Sequence, residues 1–170
     1  KLLNLNFKDK VVLDVGSSTG GFTDYSLQHG AKKVYAVDVG TDQLHPSLQD
    51  DPRIELHEKT DIRDFTLAAA DRPNIVVIDV SFISLRDILP HLAVALVTKD
   101  TQIVAMVKPQ FEVGKDEVGK GGIVRDPELH RAACEKVRAA AELLGFQTAL
   151  TESPILGAEG NREFLLYGYR

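Results

Sequence analysis

The sequence predicts an α/β fold: a mostly parallel seven-stranded sheet with an antiparallel last strand and helices on both faces. Short apolar runs alternate with stretches of helical character, which is the pattern of strand–helix–strand units. The run at 74–79 is apolar almost throughout, as expected for a strand covered on both faces. No helix separates the last two apolar runs, so we expect those two strands to pair in antiparallel fashion.

The predicted strands are short, and each one ends in or is followed by a glycine or a charged residue. They cover residues 11–15, 33–37, 54–57, 74–79, 101–107, 146–151 and 163–169. Such abrupt changes from apolar to polar residues are typical of strands that end at the surface of a domain. The sequence shows no internal repeat and no low-complexity segment.

The predicted helices are bounded by residues that begin or end helices, and they cover residues 20–29, 43–49, 84–97 and 127–144. The first ends before Gly30 and the last before Gly145, since glycine readily adopts the left-handed conformation that terminates a helix. Asp126 and Pro127 give the last helix an N-cap and a proline in its first turn. Residues 109–125 form a long loop, which either closes over a nucleic acid or lies in solvent.

Composition indicates one ordinary globular domain. At 170 residues, with 44% hydrophobic and 26% charged residues, the chain is expected to form a single domain over 1–170. It has no apolar run of membrane length and no signal peptide, and its single cysteine leaves no internal disulfide, so we expect a cytoplasmic protein. The net charge of −5 does not predict a whole-surface nucleic-acid binder, and the scattered histidines predict no metal site.

The segment from Val11 to Phe22 is predicted to be a strand, a glycine-rich turn and the start of a helix, the opening unit of a nucleotide-binding α/β fold. Ser18 stands where the dinucleotide fingerprint G-x-G-x-x-G has its second glycine, which disfavours a bound pyrophosphate. With Asp14 before the turn and Asp38 after the second strand, the segment instead resembles the S-adenosylmethionine site of a Rossmann-like methyltransferase fold. The alternative is a turn that only joins a strand to a helix.

The predicted cofactor site lies at the carboxyl ends of the strands, where open α/β sheets bind their ligands. We expect Asp38 to accept hydrogen bonds from ribose hydroxyls, and Asp61, followed by Ile62, to accept from an adenine amino group. The alternatives are a solvated acid at a strand end for Asp38 and an ordinary loop aspartate for Asp61. The residues predicted to bind the cofactor are Asp14, Gly16, Ser17, Ser18, Gly20, Gly21, Phe22, Asp38, Val39, Asp61, Ile62 and Asp79.

Asp79, Lys108 and Glu163 form the predicted catalytic set. Asp79 ends the fourth strand, Lys108 follows the fifth, and Glu163 begins the antiparallel last strand, so all three are expected at one rim of the sheet. A lysine directly after an apolar strand is costly to leave unpaired, and two nearby carboxylates would hold it in an ion pair. The alternative is a salt-bridge network with a purely structural role.

Five motifs resemble the TlyA, or hemolysin A, family of FtsJ-like methyltransferases. They are Ser-Thr-Gly-Gly-Phe-Thr at 18–23, Val-Asp-Val-Gly at 37–40, Asp-Val-Ser-Phe-Ile-Ser at 79–84, Val-Lys-Pro-Gln-Phe-Glu at 107–112 and Gly-Asn-Arg-Glu-Phe at 160–164. The resemblance covers essentially the whole chain. It implies 2′-O-methylation of ribose, with S-adenosylmethionine as the cofactor and ribosomal RNA or a ribosomal subunit as the partner.

The family's catalytic set is Lys-Asp-Lys-Glu, and its last three members map onto Asp79, Lys108 and Glu163. Its first lysine lies in an Arg-Gly-Gly-x-Lys segment upstream of the glycine turn, and this sequence has no such segment. The family's N-terminal S4-type RNA-binding domain is also absent from the sequence. We therefore expect a catalytic domain that binds the cofactor but transfers methyl groups poorly by itself.

Other functions are disfavoured by specific residues. A nicotinamide-dependent oxidoreductase would need the missing second glycine, and a non-catalytic RNA-binding module would not need Asp38 together with the catalytic set. Amino-group methyltransferases carry prolines after the fourth strand, where this chain has Val80 and Ser81, and Cys134 lies mid-helix rather than at a site for nucleophilic catalysis. A pore-forming hemolysin would need a membrane-length segment or a strongly basic amphipathic helix.

Overall fold

The computed structural model describes residues 4–170. The strands within these residues are β1 (Val11–Val15), β2 (Lys33–Val37), β3 (Ile54–His57), β4 (Ile75–Ile78), β5 (Gln102–Val107), β6 (Gln147–Glu152) and β7 (Phe164–Tyr169). They form one seven-stranded sheet in the order β3-β2-β1-β4-β5-β7-β6. β1 to β5 pair in parallel, whereas β7 runs antiparallel to both β5 and β6. The predicted fold class is confirmed.

The α-helices of the described chain are α1 (Gly21–Gln28), α2 (Leu85–His91), α3 (Pro109–Glu112) and α4 (Pro127–Leu143). α1 begins after Gly20, whose φ of 97° lies in the left-handed region. The Asp126 side chain caps α4 by accepting a hydrogen bond of 2.9 Å from the Glu128 amide. Gly145 follows α4 with a positive φ of 88°, which agrees with its predicted role as a helix stop.

The central strands of the sheet are buried on both faces, and successive side chains of each strand point to opposite sides. Leu13 and Val15 of β1 pack on the face that α2 and α4 cover, whereas Val12 packs on the face that α1 covers. β4 lies in the middle of the sheet, and all its residues, Ile75–Ile78, are buried. The core thus holds the strand ends in fixed positions. Within the described chain, no helix combines the length and apolar character that a membrane span requires.

Strand register brings the polar residues after the strands to one rim. Val15 pairs with both Val37 and Ile78, so the residues that follow these three strands start at the same level. Val107 of β5 pairs with Phe164 of β7, which places Lys108 and Glu163 side by side at the same rim. The rim that the sequence predicts is therefore present.

Three segments differ from the prediction. The helix predicted at 43–49 is reduced to a single 3-10 turn, Pro46–Leu48, because the preceding chain folds back to pack Leu44 against Gly20. The helix predicted at 84–97 is α2 followed by a π-helical turn, Leu92–Leu96, after a proline that lacks a backbone N–H. The predicted loop at 109–125 contains α3 and two 3-10 turns.

Candidate functional site

The glycine turn after β1 lies directly against the end of β4. Gly16 has a φ of 80°, and a Cβ placed there would overlap the carbonyl oxygen of Asp79. Its amide donates a hydrogen bond of 2.8 Å to the carbonyl oxygen of Val37, which ties the turn to β2 as well. Only glycine allows both the left-handed conformation and the close approach of the two strand ends.

Two cavities meet at this turn. The first has a volume of about 370 Å³, and its lining includes Gly16, Ser18, Asp38, Val39, Asp61, Ile62 and Asp79. The second has a volume of about 410 Å³, and its lining includes Gly16, Ser17, Ser18, Gly21, Phe22 and Asp79. Both volumes are in the range of small-molecule sites. Asp79 lines both cavities and so stands where they join.

Asp38 connects the glycine turn to β2. One carboxylate oxygen accepts a hydrogen bond of 2.8 Å from the Ser18 amide, and the other accepts one of 2.7 Å from the Gly40 amide. A carboxylate has about four acceptor positions in all, so Asp38 can still accept from the hydroxyls of a ligand in the first cavity. The predicted contact with ribose hydroxyls stays a prediction, and the geometry permits it.

Asp61 caps the short turn Ile62–Asp64 and is paired with Arg63. Its Oδ1 accepts from the Arg63 amide at 2.9 Å, and its Oδ2 lies 2.7 Å from Arg63 Nη2. The hydrogen bonds from Arg63 lower the pKa of the Asp61 carboxyl to about 2. Asp61 is therefore an anionic wall of the first cavity, and the predicted contact with an adenine amino group remains a prediction.

Two residues predicted to bind the cofactor do not line either cavity. Asp14 is fully buried beneath the turn, where its Oδ2 accepts a hydrogen bond of 2.7 Å from the Thr23 hydroxyl. Burial, and to a smaller extent the nearby charges of Asp79 and Asp38, raise the pKa of the Asp14 carboxyl to about 7. Gly20 instead faces Leu44 and Leu48, whose side chains a Cβ at this position would meet within 2.7 Å. Both residues lie on the side of the glycine turn that faces away from the cavities.

The predicted catalytic residues come together at the rim. Lys108 Nζ lies 2.6 Å from Asp79 Oδ1 and 3.4 Å from the Ser81 hydroxyl. Glu163 is only 8% exposed, and a Cβ at Gly157 would overlap its carboxylate. Burial raises the pKa of the Glu163 carboxyl; the Lys108 ammonium opposes this effect, and the Asp79 carboxylate adds to it. The three groups form a charged cluster with one ammonium and two carboxylates.

Phe82 stands beside this cluster with its ring in solvent. The residue is 91% exposed and lines the first cavity. The centroid of its ring lies 5.1 Å from the centroid of the Phe111 ring. Its φ of 64° is unfavourable for a residue with a bulky side chain. The ring is therefore accessible to a ligand at the edge of the first cavity.

Sequence reasoning missed two buried polar residues near the rim, Glu112 and Asn161. Glu112 accepts hydrogen bonds from the Ser84 hydroxyl and the Leu85 amide. Asn161, only 3% exposed, accepts from the Val124 amide at 3.1 Å and donates to the carbonyl oxygens of Gly122 and Ala158. Both lie inside motifs that the resemblance singled out, but sequence gives no sign of their burial. Among residues 4–170, no group of three or more His, Cys, Asp or Glu side chains could hold a metal ion.

The sequence profile of the FtsJ-like methyltransferase family matches residues 1–170. The chain is 47% identical over 157 residues to the 16S/23S rRNA (cytidine-2′-O)-methyltransferase TlyA of Mycobacterium tuberculosis, covering 91% of this chain and 58% of that protein. It is 40% identical over 166 residues to hemolysin A of Brachyspira hyodysenteriae, covering 96% of this chain and 69% of that protein. The chain therefore spans less than two thirds of the length of the TlyA relative.

Solved structures give the same picture. A candidate hemolysin from Streptococcus thermophilus superimposes with a TM-score of 0.92 at 47% identity, covering 98% of this chain and 61% of that chain. A candidate S-adenosylmethionine-dependent methyltransferase from Listeria monocytogenes superimposes with a TM-score of 0.68 at 18% identity, covering 99% of this chain and 95% of that chain. The second likeness shows a shared fold.

Proposed function

The chain belongs to the FtsJ-like methyltransferase family, and on that premise we propose that it catalyses S-adenosylmethionine-dependent 2′-O-methylation of ribose in ribosomal RNA. The observation that carries the proposal is the Lys108–Asp79 pair of 2.6 Å, in which Lys108 contacts a carboxylate that lines both cavities. Such an enzyme would act in the cytoplasm on ribosomal RNA or a ribosomal subunit. That residues 1–170 form a single catalytic domain stays a prediction.

The electrostatics of the cavities suit this cofactor. Asp14, Asp38 and Asp79 surround the glycine turn closely enough for the charges of Asp38 and Asp79 to raise the pKa of the Asp14 carboxyl. A negative field of this kind stabilises the sulfonium and ammonium groups of S-adenosylmethionine and opposes the pyrophosphate of a nicotinamide dinucleotide. The first cavity, with Asp38 and Asp61, would hold the adenosine part, and the second would hold the methionine part. When bound, the cofactor supplies a methyl group activated by its positively charged sulfur.

Lys108 is placed to act on the hydroxyl that accepts the methyl group. A ribose 2′-hydroxyl is a very weak acid, so its proton must leave as the new bond forms. The Lys108 ammonium lies 2.6 Å from Asp79 Oδ1, and an ammonium has hydrogen-bond donors but no acceptor. Lys108 therefore orients the hydroxyl and stabilises the negative charge that develops on its oxygen, while the proton passes to water. Asp79 and the buried Glu163 position the ammonium.

An RNA acceptor is supported by the surface next to Lys108. The exposed ring of Phe82 offers a base a stacking surface within the lining of the first cavity. The segments that form the rest of this rim carry exposed basic side chains, Lys115, Lys120, Arg125 and Arg162, which can contact phosphates. The overall charge of −5 means that these contacts are local.

The test is methyl transfer by the full-length protein from radiolabelled S-adenosylmethionine to ribosomal subunits and to purified ribosomal RNA. We expect label in RNA at a position that becomes resistant to alkaline hydrolysis, since a 2′-O-methyl group removes the nucleophile of that cleavage. Label in protein, label on a base, or no transfer to any ribosomal RNA would each contradict the proposal.

A further inference from the structure

Glu112 is a buried carboxylate that the proposed reaction does not use. It is 3% exposed, its Oε2 accepts a hydrogen bond of 2.6 Å from the Ser84 hydroxyl, and its Oε1 accepts one of 2.8 Å from the Leu85 amide. The Arg86 guanidinium lies 3.6 Å from Oε2. Burying a carboxylate is costly unless each oxygen has a donor, and here donors come from a segment 27 and 28 residues away in sequence.

These contacts join the two segments that carry the reacting charges. Asp79 lies at the end of β4, and the chain from there to Ser84 has no regular structure and includes the strained Phe82. Lys108 lies at the end of β5, and Glu112 follows it at the end of the one-turn helix α3. Lys108 connects the two segments at the rim through Asp79 and Ser81, and Phe111 contacts Phe82 in the same loop. Glu112 connects the segments again at the start of α2.

With these connections, the two segments are linked at both of their ends. One side runs from Asp79 through the irregular loop to Ser84, and the other runs from Lys108 through α3 to Glu112. The contacts of Lys108 hold the part of the loop that follows β4, whereas the contacts of Glu112 hold the part that precedes α2, so together they fix the distance and direction between the segments. A displacement of about 1 Å in a reacting group can cost about 100-fold in rate, so this second contact matters for chemistry as well as for packing.

We propose that Glu112 is a positioning residue, which fixes the loop 79–84 relative to Lys108 and thereby holds the Lys108–Asp79 pair and the ring of Phe82 in the geometry for methyl transfer. This inference rests on the proposed function, since it assigns Glu112 a role in that same reaction. Glu112 would act through its hydrogen bonds from Ser84 and Leu85, and it does not itself line either cavity. Its removal should therefore slow transfer without weakening cofactor binding.

The experiment compares Glu112→Ala and Glu112→Gln with wild type in the full-length protein. Glu112→Gln keeps the shape and one acceptor oxygen but loses the second acceptor. The matched control is Glu117→Ala, because Glu117 lies in the same loop, is exposed, and accepts a hydrogen bond of 2.8 Å from the Gly114 amide. Cofactor affinity is measured by calorimetry, and the rate constant of transfer is measured in single turnover at saturating cofactor and RNA.

We expect a loss of about 100-fold in the rate constant for Glu112→Ala and about tenfold for Glu112→Gln, with cofactor affinity within about twofold of wild type. Glu117→Ala should match wild type in both. Equal rates in wild type and the Glu112 variants would overturn the positioning role, and so would a loss of rate that is explained by weaker cofactor binding. If Glu112→Ala does not fold, the same two criteria are applied to Glu112→Gln. Failure of wild type to methylate ribosomal RNA contradicts the proposed function instead.

Discussion

The rim of the sheet has two parts that are built differently. The glycine-turn half comprises the residues that follow β1, β2 and β3, and it is held mainly by backbone groups: Gly16 donates to the Val37 carbonyl, and Asp38 accepts from two amides. The lysine half comprises the residues that follow β4 and β5 or precede β7. It is held mainly by side chains, among them the pairs Lys108–Asp79 and Glu112–Ser84.

This difference separates the two tasks of the site. Backbone geometry makes a cavity of fixed shape, so the glycine-turn half is suited to binding a cofactor in one orientation. Paired charges in a partly buried position determine where charge is stabilised, so the lysine half is suited to the transfer step. We therefore expect substitutions in the glycine-turn half to change stability and cofactor affinity, and substitutions in the lysine half to change the rate.

Lys108→Ala should have the largest effect. Removing the ammonium takes away the stabilisation of the developing oxyanion and should lower the single-turnover rate constant by about 10³-fold or more, or about 4 kcal/mol. Cofactor affinity in calorimetry should stay within about twofold. The matched control is Lys136→Ala on the exposed side of α4, which should retain the wild-type rate. A variant at Lys108 with more than a tenth of the wild-type rate would contradict the division of tasks.

Asp14 tests whether a side-chain charge matters in the glycine-turn half. Its carboxyl has a pKa of about 7 in the folded protein, against the ordinary aspartate pKa of 3.8 that we take for the unfolded chain. Between these values the folded state holds a proton that the unfolded state has released, so stability falls as the pH rises from about 4 to 7. The contribution is at most about 1.4 kcal/mol per pH unit, or up to about 4 kcal/mol across the window.

Chemical denaturation of wild type and Asp14→Asn at several pH values measures this effect. The side chain of asparagine does not titrate, so the variant should lack the fall in unfolding free energy that Asp14 causes as the pH rises. Between pH 4 and 7 the variant should therefore become more stable relative to wild type. Asp116→Asn, at an exposed position in the 109–125 loop, is the control and should follow the wild-type curve. A constant difference in unfolding free energy between wild type and Asp14→Asn over this window would show that Asp14 does not titrate there.

Gly16→Ala should disturb both halves at once, because Gly16 belongs to the glycine-turn half and lies against the Asp79 carbonyl of the lysine half. The left-handed φ costs an alanine about 1–2 kcal/mol, and the overlap with the Asp79 carbonyl adds a cost of similar size. We expect the unfolding free energy to fall by about 3 kcal/mol in denaturant titrations. Gly21→Ala is the matched comparison, since nothing lies within 4 Å of a Cβ there; it should change stability by less than about 1 kcal/mol. Similar losses for the two variants would argue against the close approach of the strand ends.

Asp38→Ala should give the smallest of these effects and should weaken cofactor affinity rather than slow the transfer step. Losing the hydrogen bonds that ligand hydroxyls donate to a charged acceptor costs about 2 kcal/mol, which corresponds to about a thirtyfold weaker cofactor affinity. The saturated rate of transfer should stay within about threefold. The control is Glu58→Ala, which removes a similar hydrogen bond of 2.7 Å that the Asp42 amide donates to the Glu58 carboxylate. This variant should leave cofactor affinity unchanged. A large loss in the saturated rate of Asp38→Ala would mean that the two halves do not act separately.

Much of the glycine-turn half could be predicted from the sequence. The strand before Gly16, the left-handed turn and the acid after β2 follow from short-range preferences, namely apolar runs, glycine conformations and residue order. Asp14 and Gly20 lie behind the turn and outside the linings of both cavities, so their predicted role in binding the cofactor stays a prediction. Local sequence places a residue along a strand, but neighbours from elsewhere in the chain decide whether it reaches a cavity.

In the lysine half, the sequence predicted the position of the charged residues but not the contacts that hold them. Residue order placed Asp79, Lys108 and Glu163 at the same rim, and the register of β5 with β7 places Lys108 beside Glu163. The sequence could not indicate that Glu112 is buried on Ser84, or that Asn161 joins two loops, because those contacts link residues 28 and 37 positions apart.

By itself, the sequence determined the alternation of strands and helices, the antiparallel last strand and the rim at which polar residues collect, since these depend on periodicity and on the conformations available to glycine and proline. Only the tertiary structure decided which carboxylates are buried, which of them pair with Lys108, and that Phe82 keeps its ring in solvent. The physical reason is that hydrophobic burial and charge pairing depend on distances in space, which distant parts of the chain set together.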